Sequence, residues 1–261
     1  MDEVIALDSA QGFGILTRAE GAPRNKTVVL LNAGLIHRIG PFRLHVHLAR
    51  ALAAEGFDVF RFDLPFVGDG PTRSETTEET IIGEVFSTLE SITGGREFVI
   101  GGICSAADKG WRVAASDERV VGLLLLDGFA VKDAWFRVGQ AELVLRRPPA
   151  SWPGIVSRAL RSKQADADGP QLIDFRDWPD HATFLSDLRR MLDRGVKILA
   201  LYTGGVAYYL THRRQLDSTY GALRRHPGLS IDLWLDADHI LYSPVDRARA
   251  VDRIREWCST L

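Results

Sequence analysis

The chain has 261 residues, of which 46% are hydrophobic and 25% are charged, and its formal net charge is −2. This composition is typical of a globular protein with a full core, and the weak charge predicts neither a nucleic-acid partner nor an anionic membrane partner. Two cysteines exclude a disulfide framework, the apolar runs are too short to span a bilayer, and the first residues do not resemble a secretory signal, so we expect a cytoplasmic protein.

Short apolar runs alternate with helical patterns along most of the chain, which predicts a mostly parallel sheet with helices on both faces. The first two runs are predicted to pair as an antiparallel hairpin that opens the sheet. Eight strands are predicted, at residues 4–7, 12–18, 27–32, 58–63, 97–102, 120–126, 197–202 and 229–235. Helices are predicted at residues 42–55, from Ser74 to about residue 91, directly after the fifth strand, and at residues 245–259.

Residues 131–195 interrupt this alternation with helical patterns and a polar break at residues 164–170. Because this stretch lies between the sixth and seventh predicted strands, it is suited to cover a site at the edge of the sheet. The prediction is therefore a core domain formed by residues 1–130 and 196–261, with residues 131–195 as a helical cap insertion.

The most informative motif is GGICSAAD at residues 101–108, directly after the fifth predicted strand. A glycine and an alanine stand two residues before and after Cys104, as the crowding in a sharp strand-to-helix turn requires. Such a turn exposes its central side chain at a helix N-terminus, where the helix dipole favours the reactive thiolate. Ser105 does not fit as the nucleophile, because a turn centred on it would need a small residue at position 103, where the chain has Ile103. Cys104 is the predicted nucleophile, and a buried cysteine at a packed strand–helix junction is the alternative.

A cysteine nucleophile needs a general base, and the base needs an acid that orients it. His239 follows the last predicted strand, and the chain order nucleophile, acid, histidine is expected for this architecture. The loop after the seventh predicted strand reads TGGVAYY and holds no carboxylate, so the acid is sought at the end of the sixth strand, at Asp127. A loop-capping role for Asp127, Asp217 as the acid, and a Cys–His dyad without an acid remain alternatives.

Acyl transfer also needs two hydrogen-bond donors for the oxyanion that develops on the attacked carbonyl oxygen. One predicted donor is the backbone N–H of Ser105, the residue after the nucleophile. The other is the N–H of Gly34 in the loop NAGL after the third strand, where small residues let a substrate approach the backbone. A plain tight turn is the alternative interpretation of this loop.

Three further residues are predicted to contact substrate. His37 and Arg38 follow the oxyanion loop and are suited to bind an acyl or carboxylate oxygen, with a packing or solvated role as the alternative. Tyr208 is predicted to line an apolar pocket, although aromatic side chains more often fill cores. His45 and His47 lie two residues apart on a predicted helix and point to different faces, so no metal site is predicted.

The chain resembles the α/β-hydrolase family over nearly its whole length. Residues 32–64 (NAGLIHRIGPFRLHVHLARALAAEGFDVFRFDL), with the stretches GICSAAD and LLLLDG, are similar to hydrolases associated with bacterial exosortase systems and to serine-aminopeptidase-type hydrolases. The resemblance implies an eight-stranded sheet, a cap between its sixth and seventh strands, no metal or organic cofactor, and nucleophile, base and oxyanion roles for Cys104, His239, Ser105 and Gly34. The chain departs from the family in its cysteine nucleophile and at Val206, which stands near the usual position of the acid.

These observations predict an acyl hydrolase that cleaves esters or thioesters through an acyl-thioester on Cys104. Three alternatives stay open: an acyltransferase that passes the acyl group to an amine, alcohol or thiol, a catalytically inactive binding module on the same fold, and a lyase or cyclase that uses the same pocket without covalent attachment. A small-molecule acyl substrate is expected, either free or delivered on a carrier protein. No nucleic acid, membrane or cofactor is expected, and a homodimer stays open beside the monomer.

Overall fold

The computed structural model of the protein describes residues 1–7, 12–146, 148, 150, 152, 154, 176 and 178–261. Within these residues, eight strands form one sheet: β1 (Asp2–Leu7), β2 (Gly12–Thr17), β3 (Lys26–Leu30), β4 (Asp58–Phe62), β5 (Glu97–Ile103), β6 (Val120–Leu126), β7 (Lys197–Thr203) and β8 (Leu229–Trp234). The strands lie in the order β1-β2-β4-β3-β5-β6-β7-β8, and only the pairs β1–β2 and β2–β4 are antiparallel. The predicted eight-stranded, mostly parallel sheet is confirmed.

The described helices cover both faces of the sheet: α1 (Leu44–Ala54), α2 (Glu78–Thr93), α3 (Ser105–Ser116), α4 (Ala134–Leu145), α5 (His181–Asp193), α6 (Gln215–Tyr220) and α7 (Pro244–Cys258). Val28 and Leu30 belong to the buried cluster that contains α1 and α7, whereas Val29 and Leu31 belong to the cluster that contains α2, α3 and α5. Successive side chains of a strand point to opposite faces, so a strand buried on both sides is apolar throughout. None of the described helices is long and apolar enough to cross a membrane.

Two predicted helix starts are wrong. The helix predicted over residues 42–55 is preceded by a separate 3-10 helix, Pro41–Arg43, because Phe42 and Arg43 adopt the left-handed φ values 47° and 64°. Helix α2 begins after Thr77, whose hydroxyl accepts a hydrogen bond from the backbone N–H of Thr80. Ser74 instead donates its hydroxyl to a nearby backbone carbonyl within the loop.

The predicted cap, residues 131–195, contains helices α4 and α5, while its polar break lies outside the described residues. Helix α5 is part of the core, because Phe184, Leu188 and Met191 are fully buried in the same cluster as α3 and the sheet. Helix α4 is largely exposed, with Gly139 as its one buried residue. The division of the chain at residues 131 and 195 therefore remains a prediction, which the packing of α5 does not support.

The carboxyl ends of the parallel strands meet at one edge of the sheet, where loops can bring distant residues together. The residues that emerge there from β3, β5, β6, β7 and β8 include, in chain order, Gly34, Cys104, Asp127, Thr203 and His239.

Candidate active site

Cys104 stands at a sharp turn between β5 and α3. Its backbone has φ 59° and ψ −126°, it is half-buried, and its N–H donates to the carbonyl of Leu126 at 2.9 Å. A Cβ atom added at Gly102 would lie 2.8 Å from the Cβ of Ala106, so the turn needs a glycine there. A left-handed backbone costs a residue other than glycine of order 1–3 kcal/mol and persists where the surroundings enforce it, often at functional sites. The strained turn directs the thiol away from the strand.

His239 lies after β8 and is hydrogen-bonded to Asp127, which follows β6. The Nδ1 atom of His239 is 2.6 Å from Oδ2 of Asp127, whose side chain is completely buried. Thr203 holds the same carboxylate, because its N–H donates to Oδ1 at 2.6 Å and its hydroxyl donates to Oδ2 at 2.8 Å. Asp127 is thereby fixed between the ends of two strands. Asp217, the alternative acid, is instead paired with Arg224 at the surface.

The imidazole of His239 and the thiol of Cys104 interact, and each shifts the pKa of the other. Burial raises the pKa of Cys104, but the hydrogen bond to His239, the charge of Arg176 and the N–H of Ser105 together hold it below its usual value. The hydrogen bonds to Asp127 and Cys104 outweigh burial and raise the pKa of His239 to about 9. Both shifts favour the thiolate–imidazolium pair over the neutral thiol–imidazole pair.

The two predicted oxyanion donors lie beside the thiol. The N–H of Gly34 donates to the hydroxyl of Ser105 at 2.7 Å, so the loop after β3 contacts the start of α3. The N–H of Ser105 is hydrogen-bonded to the sulfur of Cys104. Gly34 has φ 52°, and a Cβ atom added to it would have no neighbour within 4 Å, so the space next to this residue is open.

His37 and Arg38 are bound to carboxylates of the loop that follows β4. The Arg38 guanidinium donates to Asp63 and, at 2.9 Å, to Asp69, and the Arg38 N–H donates to Asp63 at 2.6 Å. Nε2 of His37 is 3.2 Å from Asp69 and 3.3 Å from Asp63. The side chain of Asn32 donates to Asp63 at 2.9 Å, so this network fixes the oxyanion loop. A substrate contact of His37 or Arg38 remains a prediction.

The same cluster offers the one arrangement of metal-ligand type among the described residues. The ligand atoms of His37, Asp63 and Asp69 lie within 4.8 Å of one another. However, the guanidinium of Arg38 is bonded to both carboxylates and would repel a cation placed between them. These residues therefore do not fit a metal ion.

Arg176 was missed by the sequence analysis and lies next to the candidate nucleophile. Its guanidinium forms two hydrogen bonds of 2.6 Å with Asp108 on α3 and a third, of 2.9 Å, with the carbonyl of Asp127. Burial lowers the pKa of Arg176, but the hydrogen bonds and charge of Asp108 raise it above its usual range. The side chain therefore stays charged. Arg176 and Asp108 are 68 positions apart in the sequence, which explains why no local pattern revealed the pair.

A cavity of about 480 Å³ adjoins the loop after β6. Its aromatic lining includes Phe129, Trp178 and Tyr209, and Tyr208 also lines it, as predicted. The hydroxyl of Tyr209 donates to the carbonyl of Asp127 at 2.9 Å, which joins the cavity wall to the residue that holds His239. The lining also includes Lys132 and Arg176, so the cavity combines aromatic and charged side chains next to the hydrogen-bonded residues.

No family model and no curated protein matches the sequence, but solved structures match the whole chain. A thermophilic esterase from Thermogutta terrifontis is 17% identical, with a TM-score of 0.57 and coverage of 100% of this chain and 98% of that chain. A dienelactone hydrolase from Anabaena variabilis is 12% identical, with a TM-score of 0.57 and coverage of 100% and 97%. The α/β-hydrolase domain-containing protein 10 from mouse is 12% identical, with a TM-score of 0.54 and coverage of 100% and 99%. At these identities the likeness establishes architecture, and the chain has the α/β-hydrolase fold.

Proposed function

We propose that the protein is an acyl hydrolase that cleaves esters or thioesters through an acyl-thioester on Cys104. The observation that carries this proposal is the buried hydrogen bond between Asp127 and His239, together with the thiol of Cys104 at a strained strand-to-helix turn. The three residues supply a nucleophile, a base and an orienting acid, the roles that covalent acyl transfer requires. The hydrolases among the structural neighbours are compatible with this chemistry.

In the first half-reaction, the Cys104 thiolate attacks the acyl carbon and forms the carbon–sulfur bond. The electron pair of the carbonyl double bond moves to oxygen, and the N–H groups of Gly34 and Ser105 are the donors placed to stabilise that charge. The oxyanion then re-forms the carbonyl and expels the leaving group, which takes the proton from the His239 imidazolium. Asp127 keeps the ring oriented throughout.

In the second half-reaction, neutral His239 removes a proton from water, and the resulting hydroxide adds to the thioester carbon. The oxyanion forms at the same donors, and its collapse breaks the carbon–sulfur bond and restores the thiolate–imidazolium pair. The aromatic side of the cavity, beside Tyr208 and Tyr209, is suited to an apolar acyl chain. Carrier-protein delivery, a homodimer and a cytoplasmic location remain predictions from the sequence.

The test is acylation of the purified protein by a panel of 4-nitrophenyl esters and acyl-pantetheine thioesters. Acid quenching during turnover, followed by intact-mass and peptide analysis, should show one acyl group on Cys104. The variant C104A should lose both the adduct and turnover, while C258A, which changes the other cysteine in the buried core, should keep both.

Unimpaired turnover in C104A would refute the covalent mechanism. An adduct that transfers to an added amine or alcohol much faster than to water would identify the acyltransferase instead. Absence of any adduct or turnover with every ester and thioester of the panel would favour the inactive binding module.

A further inference from the structure

The oxyanion donor at Gly34 is occupied by a group of the protein itself. The Gly34 N–H donates to the hydroxyl oxygen of Ser105 at 2.7 Å. A backbone N–H has a single hydrogen, so one acceptor at this distance leaves Gly34 little capacity for a second. A substrate oxygen can therefore bind this donor only after the hydroxyl has left it.

We propose that the Ser105 hydroxyl closes the oxyanion site in the free enzyme, and that the developing oxyanion displaces it from Gly34. This inference rests on the proposed acyl-hydrolase function and adds a control of the same site. The bond between the Gly34 N–H and the Ser105 hydroxyl is exposed, so an incoming oxygen can approach this donor from solvent once the hydroxyl has left. Departure of the hydroxyl requires a rotation of the Ser105 side chain between staggered positions, which leaves the backbone of α3 in place.

The exchange follows the movement of negative charge during attack. When the Cys104 sulfur bonds to the acyl carbon, it gives up its negative charge, and its hydrogen bond with the Ser105 N–H weakens. The electron pair displaced from the carbonyl becomes the oxyanion, which accepts from Ser105 and competes for Gly34. No proton moves in this step, because the imidazolium of His239 keeps its proton until the leaving group departs.

The hydroxyl therefore discriminates between the ground state and the transition state. A neutral carbonyl oxygen and a neutral hydroxyl accept hydrogen bonds of similar strength, so the ground-state substrate gains little by displacing Ser105. An oxyanion forms charge-assisted hydrogen bonds of roughly twice that strength, so it displaces the hydroxyl readily. Carbonyl compounds that do not react with Cys104 should consequently bind weakly at this site.

The test compares the wild-type protein with S105A and S105G, which both lack the hydroxyl. Butanal is the probe, because an aldehyde adds to the Cys104 thiolate and places an oxyanion at the two donors. Its inhibition constant is measured against 4-nitrophenyl butyrate hydrolysis. Loss of a competing hydrogen bond should lower that constant about twofold to tenfold in both variants.

Alkylation of Cys104 by iodoacetamide is the control, because this reaction forms no oxyanion and reports the reactivity of the thiolate itself. The deciding quantity is the aldehyde affinity divided by the alkylation rate. A rise in this ratio in both variants supports the closed site. A ratio equal to or below that of the wild type overturns it and makes the hydroxyl neutral or a donor to the oxyanion. Absence of an acyl adduct on wild-type Cys104 would refute the proposed function instead, so the two failures are distinguishable.

Discussion

The substitution D127N tests whether Asp127 determines which ring nitrogen of His239 carries the proton. Oδ1 of Asp127 accepts from the backbone N–H of Thr203 at 2.6 Å, and this donor cannot be reversed. The amide oxygen of the asparagine must therefore stay there, and its NH2 group must take the place of Oδ2, 2.6 Å from Nδ1 of His239. An NH2 group only donates, so Nδ1 becomes the acceptor and the ring proton moves to the nitrogen that faces Cys104.

The size of the effect follows from the ionisation of the pair. With a pKa of about 9, His239 is almost fully protonated at pH 7 and stabilises the thiolate. Without that pair, Cys104 returns toward the ordinary thiol pKa of about 8.5, and about 3% of it is thiolate at pH 7. The thiolate fraction should therefore fall. The corresponding substitution in a Ser-His-Asp triad lowers kcat about 10⁴-fold, and we expect a loss of at least about 10³-fold here.

The assay combines kcat for a 4-nitrophenyl ester with a pH titration of the ultraviolet absorbance of the Cys104 thiolate. The matched control is D217N, because Asp217 is an exposed partner of Arg224 and should leave both measurements unchanged. Thermal unfolding of D127N checks that the buried amide is accommodated. The reasoning is refuted if D127N folds, retains kcat within tenfold and titrates at the wild-type pH.

Three further predictions address the surroundings of the pair. In G205A the new Cβ would lie 2.3 Å from the Cβ of His239, and the resulting displacement should lower kcat about 100-fold without unfolding the protein in a thermal melt. The rate of alkylation of Cys104 should rise with a midpoint pH below the ordinary thiol pKa. Turnover of alkyl esters should decline above pH of about 9, because the imidazolium of His239 loses its proton there. R176Q removes the cation that forms the buried ion pair with Asp108, which should lower the free energy of unfolding by roughly 3–5 kcal/mol in a denaturant titration and move the Cys104 midpoint to higher pH. Adding D108N should restore stability but leave the midpoint raised.

The sequence predicted the features that depend on short stretches of chain. The eight strands follow from apolar runs, and the turn at Cys104 follows from small residues at fixed positions around it. The pairing of His239 with Asp127 was reached by elimination, because the loop after β7 offered no carboxylate. Adjacent parallel strands end at the same edge, so a carboxylate after β6 can contact the same ring.

The features that the sequence did not predict depend on long-range contacts or on single side-chain rotations. Nothing near Arg176 indicates a pairing with Asp108, because the two meet only after the sheet and α3 have formed. The bond between the Ser105 hydroxyl and Gly34 depends on one side-chain rotation, which no residue pattern encodes. The left-handed backbone of Phe42 was also missed, because glycine usually marks such positions.

Asp127 can act as the acid from the end of β6 because the end of β7 supplies the groups that hold its carboxylate. Thr203, the last residue of β7, gives both its N–H and its hydroxyl to Asp127, so this strand end holds the acid without carrying one. Asp127 itself has φ 56°, which places a second left-handed residue one strand away from Cys104. Two neighbouring strands therefore end in strained turns that direct a thiol and a carboxylate toward the same imidazole. Strain of this kind persists only where the surroundings enforce it. At Asp127 the carboxylate is held by Thr203, and the backbone is held by hydrogen bonds with Leu201, Tyr209 and Arg176. T203V removes the hydroxyl but keeps the N–H, so it should lower kcat less than D127N does and should shift the Cys104 titration in the same direction. A wild-type titration in T203V would show that the backbone bond of Thr203 is sufficient to hold the carboxylate.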